Sequence, residues 1–138
     1  MKKYYFAGSI RGGRADAQLY QSMIDCLKHH GSVLTEHVGN LSLSTLEQGR
    51  DRDSDIYLQD TGWLSACDVV VAECTQPSLG VGYELAFAEK LGKPCHLFYN
   101  STQCQLSAML TGNPYFHIYP YTSEDELFAL LDCVLNEE

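Results

Sequence analysis

Residues 68–99 read DVVVAECTQPSLGVGYELAFAEKLGKPCHLFY, and their pattern of apolar runs and turn residues indicates the fold class. The run Asp68–Cys74 is almost continuously apolar, which is typical of a strand buried on both faces of a parallel sheet. A short loop follows, and the apolar periodicity of Val81–Leu91 then predicts a helix that a glycine and a proline end. A second apolar run, Cys95–Tyr99, predicts another strand. Strand, helix and strand in this order form a β-α-β unit, whose two strands are parallel.

The same alternation extends over the rest of the 138 residues. Five strands alternating with helices predict an α/β fold with a five-stranded parallel sheet flanked by helices, in one domain that spans residues 1–138. The longest predicted loop is Gly39–Asp53. The other predicted strands are Lys3–Ala7, Ser32–Val38 and Tyr115–Tyr119, and the other predicted helices are Asp16–His30, Ser54–Ala66, Gln105–Leu110 and Ser123–Asn136.

The charge and composition of the chain exclude several classes of partner. With 18 acidic and 9 basic residues the formal net charge is -9, and such a surface repels nucleic acid polymers and anionic membranes. No apolar run approaches the ~20 residues of a membrane span. The six cysteines form no CxxC pair, and the five histidines show no ligand spacing with them. We therefore expect buried, reduced thiols in a cytoplasmic protein and no metal site.

Two acidic residues fall on helix faces that are otherwise apolar. At about 100° per residue, Glu84 lies within the apolar stripe of the predicted helix Val81–Leu91, and Asp60 lies similarly in Ser54–Ala66. A half-buried carboxylate is costly unless it has a partner or a chemical task. Either acid alone could be structural, because a carboxylate can interact favourably with the helix dipole or accept hydrogen bonds from the backbone. The two together favour a site in which one acid is the nucleophile and the other the proton donor.

Ligands of parallel sheets bind beyond the carboxyl ends of the strands, and two glycine-containing segments lie there. These are GSIRGGR after the first strand and PSLGVGYE after the third. Glycines let backbone N–H groups approach an anion, and Arg11 and Arg14 add positive charge, although either loop alone could be an ordinary turn. Neither loop matches a Walker or GxGxxG pattern. The pair of loops predicts a small phosphorylated ligand.

Other residues near the ligand ends of the strands are weaker candidates. Tyr5 lies at the ligand end of an inner strand, where its hydroxyl needs a hydrogen-bond partner. The pair Glu36–His37 could contact a ligand or simply end the second strand. Trp63 is better interpreted as a core residue than as a stacking platform.

Several segments occur in an order that resembles one enzyme family: YFAGSIRGGR, VLTEHV, QDTGWL, CDVVVAE, TQPSLGVGYEL, LGKP and LSAM. From Tyr5 to about Met109 the chain resembles the 2'-deoxynucleoside 5'-monophosphate N-hydrolases of the nucleoside 2-deoxyribosyltransferase superfamily. The resemblance implies a Rossmann-like three-layer fold, a homodimer, no metal and no organic cofactor. It also implies cleavage of the N-glycosidic bond, which releases a free base and 2-deoxyribose 5-phosphate.

The resemblance further implies roles for individual residues. Glu84 matches the nucleophile, which would form a covalent glycosyl ester, Asp60 matches the acid that assists base departure, and Tyr5 matches a tyrosine beside them. Matches to substrate-binding positions are Gly8, Ser9, Ile10, Arg11, Gly12 and Gly13 around the nucleotide, His37 near the base, and Ser78, Gly80 and Ser107 near the 5'-phosphate, with Ser107 reaching in from the partner subunit.

Position 78 separates two branches of this superfamily. The nucleoside transferases resemble this region but carry an aspartate six residues before the nucleophile, which binds a free 5'-hydroxyl. Here that residue is Ser78, and a serine donates a hydrogen bond to a phosphate that an acid would repel. We therefore expect nucleoside monophosphates as substrates. The alternatives are a deoxyribosyltransferase that exchanges bases, a ribonucleotide N-hydrolase and a non-catalytic nucleotide-sensing module.

Overall fold

The computed structural model describes residues 1–9, 14–35 and 53–137, and within these ranges strands alternate with helices as predicted. In chain order the elements are β1 (Lys2–Gly8), α1 (Arg14–Lys28), β2 (Gly31–Val33), α2 (Asp53–Ala66), β3 (Val69–Glu73), α3 (Leu79–Lys90), β4 (Cys95–Asn100), α4 (Ala108–Thr111), β5 (His117–Tyr121) and α5 (Glu124–Glu137).

The five strands form one parallel sheet in the order β2-β1-β3-β4-β5. The chain moves from β1 outward to β2 and then returns past β1 to β3, so the direction of winding reverses between β1 and β3. In open parallel sheets the ligand crevice lies at this reversal, beyond the carboxyl ends of the two strands. The register places Gly8 beside Glu73 at that edge. The topology therefore points to the ends of β1 and β3 as the place for a site.

Helices cover both faces of the sheet. Successive side chains of a strand point to opposite faces, and the buried apolar residues accordingly form two clusters. One cluster packs α1 and α5 against residues that include Phe6 and Val71. The other packs α2 and α3 against residues that include Tyr5 and Val70. The predicted three-layer α/β fold with a five-stranded parallel sheet is therefore confirmed.

The second strand is shorter than the prediction Ser32–Val38, of which residues 36–38 lie outside the described ranges. β2 ends at Val33 because Thr35 contacts β1 through its side chain instead of its backbone. The Thr35 hydroxyl accepts a hydrogen bond from the Phe6 N–H (2.8 Å) and donates one to the Phe6 carbonyl (2.9 Å). Gly31 belongs to this strand, so it does not end α1, which stops at Lys28 rather than at His30.

The fourth helix and the fifth strand begin later than predicted. The fourth helix begins at Ala108, not at Gln105, because Ser107 caps it by accepting a hydrogen bond from Met109 N–H. The fifth strand begins at His117 and not at Tyr115, because the residues around Tyr115 form a turn. There the Tyr115 N–H donates to the Asn113 side chain, and the Tyr115 hydroxyl donates to a carbonyl of the turn that follows α3.

Two chain-wide expectations concern the thiols and the membrane. All six cysteines are free thiols, and Cys67, Cys74 and Cys95 are buried among apolar side chains. Within the described ranges, every helix is too short or too polar to cross a bilayer.

Gly31 is the position at which we expect a small substitution to harm the fold most. A methyl group added there would lie 2.2 Å from the carbonyl oxygen of Lys2 in β1, far inside van der Waals contact. We expect Gly31→Ala to lower the free energy of unfolding by about 2–4 kcal/mol, because β1 and β2 would have to separate. Urea denaturation followed by circular dichroism measures this change.

Gly62→Ala is the matched control, because Gly62 lies in α2 and an added methyl group there meets no atom within 4 Å. Alanine is favoured over glycine inside a helix by about 1 kcal/mol, so the control should be at least as stable as the wild type. If Gly31→Ala unfolds at the wild-type urea concentration, the close approach of β2 to β1 is not required.

Candidate active site

A hydrogen bond between Tyr5 and Glu84 connects the sheet to α3. Tyr5 lies in the middle of β1, opposite Val70, and not at the carboxyl end of the strand as predicted, because β1 continues to Gly8. It is 1% exposed, and its side chain points to the side of the sheet that α2 and α3 cover. Glu84 is partly buried on the α3 face that also carries the buried Val81, Leu85 and Ala88. The Tyr5 hydroxyl donates to Glu84 Oε2. The acid expected on an apolar helix face therefore has a buried partner.

Asp60 brings a second carboxyl group to the same place. It lies on α2, is partly buried, and shares a helix face with the buried Leu64 and the partly buried Trp63. Its charge is close enough to raise the pKa of both Tyr5 and Glu84. Trp63 packs against the apolar cluster on this side, which agrees with its interpretation as a core residue.

Burial displaces the pKa values of both acids upward. Burial raises the pKa of Glu84 to about 7, the hydrogen bond from Tyr5 lowers it, and the charge of Asp60 raises it. Burial raises the pKa of Asp60 to about 6. The pKa of Tyr5 lies above its usual range because of burial and because of the negative charges of Glu84 and Asp60, so Tyr5 keeps its proton and remains a donor.

With these pKa values, both acids are partly protonated near neutral pH. Between pH 6 and 7 the pair is only partly ionised, and the protonation states belong to the pair as a unit. One carboxylate can then act as a nucleophile while the other carboxyl group delivers a proton. The hydrogen bond from Tyr5 stabilises the charged form of Glu84, but Asp60 has the lower pKa and ionises first. A role for Glu84 as nucleophile and for Asp60 as proton donor therefore requires the proton to move from Glu84 to Asp60.

The N-terminus of α3 offers hydrogen-bond donors to an anion. Ser78 is the N-cap residue, and its side chain accepts a hydrogen bond from Val81 N–H at 3.2 Å. By helix geometry the N–H groups of Leu79 and Gly80 have no partner within the helix. A methyl group added at Gly80 would meet only the Ser78 Oγ, at 3.8 Å, so the approach to these N–H groups is open. A phosphate is a suitable ligand for such a helix end.

The remaining predicted site residues lie in three places. Gly8 ends β1, and Ser9 follows it as a buried residue at the same edge of the sheet. Ser107 is exposed at the start of α4, where its hydroxyl accepts from Met109 N–H, and it stands on the surface of this subunit. Ile10, Arg11, Gly12, Gly13 and His37 lie outside the described residues, as does Glu36.

Sequence reasoning missed a third buried acid near this edge. Glu73 ends β3, is 1% exposed and bonds to Thr75 and Tyr121. The available signal was the carboxylate of Glu73 near the end of the run DVVVAEC. A strand that is buried on both faces has no alternating pattern, so periodicity does not indicate which face this carboxylate is on. Thr75 and Tyr121 carried no such signal, because their contacts with Glu73 depend on the pairing of distant strands.

Known proteins resemble this chain in sequence and in fold. A Rattus norvegicus protein named 5-hydroxymethyl-dUMP N-hydrolase is 48% identical over 134 residues, which is 93% of this chain and 81% of the relative. A Danio rerio protein of the same name is 47% identical over 133 residues, 93% of this chain and 92% of the relative.

A solved structure and a family model agree with the observed architecture. The structure of Clostridium botulinum CMP N-glycosidase, BcmB, superposes with a TM-score of 0.63 over 95% of this chain and 99% of that chain. At 18% identity this match shows the shared fold alone. The family model described as Nucleoside 2-deoxyribosyltransferase matches residues 4–126, which is most of the chain. This protein therefore belongs to the nucleoside 2-deoxyribosyltransferase family.

Proposed function

We propose that this protein hydrolyses the N-glycosidic bond of 2'-deoxynucleoside 5'-monophosphates, releasing the base and 2-deoxyribose 5-phosphate. The observation that carries the proposal is the partly buried hydrogen bond beside Asp60 that joins Glu84 to Tyr5 of β1, one of the two strands between which the winding of the sheet reverses. Relatives at 47–48% identity that bear the name 5-hydroxymethyl-dUMP N-hydrolase support the same reaction class.

The proposed reaction has two displacement steps at C1' of the sugar. In the first, a Glu84 carboxylate oxygen forms a bond to C1' while the bond from C1' to the base nitrogen breaks, and Asp60 gives its proton to the departing base. In the second, the Asp60 carboxylate takes a proton from water, whose oxygen attacks C1' and releases Glu84. Two inversions give net retention. The reaction uses these side chains and water, without a metal or an organic cofactor.

The substrate phosphate would bind at the N-terminus of α3. Ser78 lies six residues before Glu84, so the helix rise separates them by roughly 9 Å along the axis. One rigid helix would then hold the phosphate at its first turn and present the nucleophile about two turns later. At position 78 a serine can donate to a phosphate, whereas an acid would repel it.

Base exchange is the second candidate function, because the matching family model carries the name of a transferase. The two activities share the first displacement and differ in whether water or a second base attacks C1'. Adding a second free base to the reaction separates them. Exchanged nucleotides would indicate a transferase, and 2-deoxyribose 5-phosphate would indicate a hydrolase.

We also propose that the protein forms a homodimer through an apolar patch on α2 and α3. The α2–α3 patch consists of Tyr57, Leu58, Leu79, Tyr83, Phe87 and Leu91. The Tyr57 and Tyr83 rings lie 6.4 Å apart, and Tyr83 stacks on Phe87 at 6.2 Å. Exposed apolar surface of this kind favours burial by a partner. A second copy would cover the patch and supply its own Ser107 to the phosphate.

The free thiols support a cytoplasmic location. All six cysteines are unpaired, and reducing compartments maintain cysteines in this state.

A panel of nucleotides tests the reaction. We expect the wild type to release base from deoxynucleoside monophosphates. The panel includes 5-hydroxymethyl-dUMP and dUMP, and a comparison of dAMP with AMP tests whether the enzyme requires deoxyribose. Glu84→Gln should lower turnover by at least about 1,000-fold, because glutamine cannot form the ester. Chromatography of the liberated base measures both. Substantial turnover by Glu84→Gln would remove Glu84 from the nucleophile's role.

The same variant is expected to gain stability at alkaline pH. Since the pKa of Glu84 is raised to about 7, its ionisation in the folded state is unfavourable, and stability is lost as the pH rises through that value. Glutamine stays neutral and still accepts the hydrogen bond from Tyr5. Calorimetry should show equal melting temperatures for both proteins at pH 4, below the ordinary pKa of glutamate, and a melting temperature several degrees higher for Glu84→Gln at pH 8. A pH-independent difference would contradict the burial of the charge.

Gly80→Ala tests the phosphate site. The added methyl group is compatible with the protein but would obstruct an anion that approaches the first turn of α3. We expect the KM for deoxynucleoside monophosphates to rise by about tenfold without a loss of thermal stability, because alanine favours the helix. Gly62→Ala is the control and should keep the wild-type KM. An unchanged KM in Gly80→Ala would place the phosphate elsewhere.

Tyr57→Glu tests the dimer. A charge introduced into the α2–α3 patch should weaken association by at least about 100-fold, because the charge would lose its water in the interface. Sedimentation velocity should show two protomers for the wild type and one for Tyr57→Glu. Ala129→Glu is the control, since Ala129 is exposed on α5 on the opposite side of the sheet. A monomeric wild type would end this part of the proposal.

A further inference from the structure

Glu73 is a buried acid that the proposed reaction does not use. It is the last residue of β3 and is 1% exposed. It accepts hydrogen bonds from Thr75 N–H (3.0 Å), from the Thr75 hydroxyl (2.6 Å) and from the Tyr121 hydroxyl (2.6 Å). A buried carboxylate with three donors is well satisfied, yet an apolar side chain in its place would avoid the desolvation of a charge altogether.

Thr75 extends these contacts to the neighbouring strand. Its hydroxyl oxygen accepts a hydrogen bond from Asn100 N–H at 2.9 Å, at the end of β4. Tyr121 is the last residue of β5. Glu73 and Thr75 thus join the carboxyl ends of β3, β4 and β5 at the edge of the sheet where the candidate site lies.

Glu73 cannot be a third reacting acid. Side chains alternate along β3, and Val69 and Val71 belong to the cluster on the side of α1 and α5. Glu73 continues that alternation and bonds to Tyr121 of the same cluster. Tyr5 and Glu84 lie on the opposite side, so the sheet separates the two carboxylates.

The segment that follows Thr75 leads directly to the proposed phosphate site. Only Gln76 and Pro77 separate Thr75 from Ser78, the N-cap of α3, and the proline ring restricts the backbone of this short segment. The position of Thr75 therefore determines where α3 begins. It also determines where Glu84, on the same helix, meets the sugar.

We propose that Glu73 is a positioning residue that acts through Thr75 and Tyr121 to set the start of α3, so that the helix N-terminus holds the substrate phosphate while Glu84 reaches C1'. This inference rests on the proposed function, because it assumes a phosphate at α3. It adds to the proposed function that a buried carboxylate on one side of the sheet controls substrate binding on the other side.

A pair of substitutions at Thr75 tests the inference, because a substitution of Glu73 itself could prevent folding. Thr75→Val keeps the shape of the side chain and removes the hydroxyl, whereas Thr75→Ser keeps the hydroxyl. Each is combined with Glu84→Gln, so that dUMP binds without being consumed. Isothermal titration then measures the Kd for dUMP.

We expect Thr75→Val to weaken dUMP binding by about tenfold or more and Thr75→Ser to stay within about threefold of the parent. In proteins that retain Glu84, Thr75→Val should raise the KM more than it lowers kcat. Val134→Ala is the control for general destabilisation, since Val134 is buried on α5 away from the segment. It should lower the melting temperature and leave the Kd unchanged.

The outcomes separate this inference from the proposed function. If the wild type binds dUMP but releases no base from any nucleotide, the proposed hydrolysis fails, and the Kd comparison still decides the positioning role. If Thr75→Val binds dUMP as the parent does, Glu73 is a purely structural acid. If the parent binds no dUMP at all, there is no phosphate to position, and the inference is overturned.

Discussion

The hydrogen bond from the Tyr5 hydroxyl to Glu84 is the interaction on which the candidate site depends. Burial raises the pKa of Glu84, because desolvation penalises the charged form. The Tyr5 hydroxyl opposes this effect and brings the pKa to about 7, where the carboxylate is accessible as a nucleophile. The same bond joins an inner strand of the sheet to the helix above it. Geometry and charge of the site are therefore set by one contact between two buried groups.

Glu73 and the partly buried Glu84 lie on opposite sides of the sheet, and each accepts a hydrogen bond from a tyrosine on a strand. Glu73 accepts three hydrogen bonds, from Thr75 and Tyr121, so most of its hydrogen-bonding capacity is used within the fold. Glu84 has the hydroxyl of Tyr5 and a second carboxyl group nearby, so part of its hydrogen-bonding capacity is left for a substrate. This difference in surroundings agrees with the proposed roles, in which Glu73 positions the chain and Glu84 acts as the nucleophile.

The helix α3 combines three properties within 12 residues. One face carries Val81, Leu85 and Ala88 into the apolar cluster and fixes the helix against the sheet. Its N-terminus, capped by Ser78, presents donors to an anion, and its second turn carries the proposed nucleophile. Because a helix is stiff, the distance between anion and nucleophile is constant once the first turn is in place. The apolar clusters on both faces offset the unfavourable burial of the acids that the site needs.

The amino-acid sequence was enough to predict the order of strands and helices and to identify Glu84 and Asp60 as candidate site residues. Both follow from local periodicity: an apolar run marks a buried strand, and an acid within an apolar stripe departs from the pattern. The sequence did not predict every boundary. Gly31 was predicted to end a helix, whereas it begins β2, where the close Lys2 carbonyl leaves no room for a side chain.

Only the tertiary structure decided which groups meet. The contact of Tyr5 with Glu84 spans 79 positions and that of Glu73 with Tyr121 spans 48, so neither leaves a local pattern in the sequence. The order β2-β1-β3-β4-β5 brings these residues together, and burial then raises the pKa values of Glu84 and Asp60. Periodicity depends on neighbours along the chain, whereas desolvation and hydrogen bonding depend on neighbours in space, and for this reason the chemistry of the site was visible only in the folded molecule.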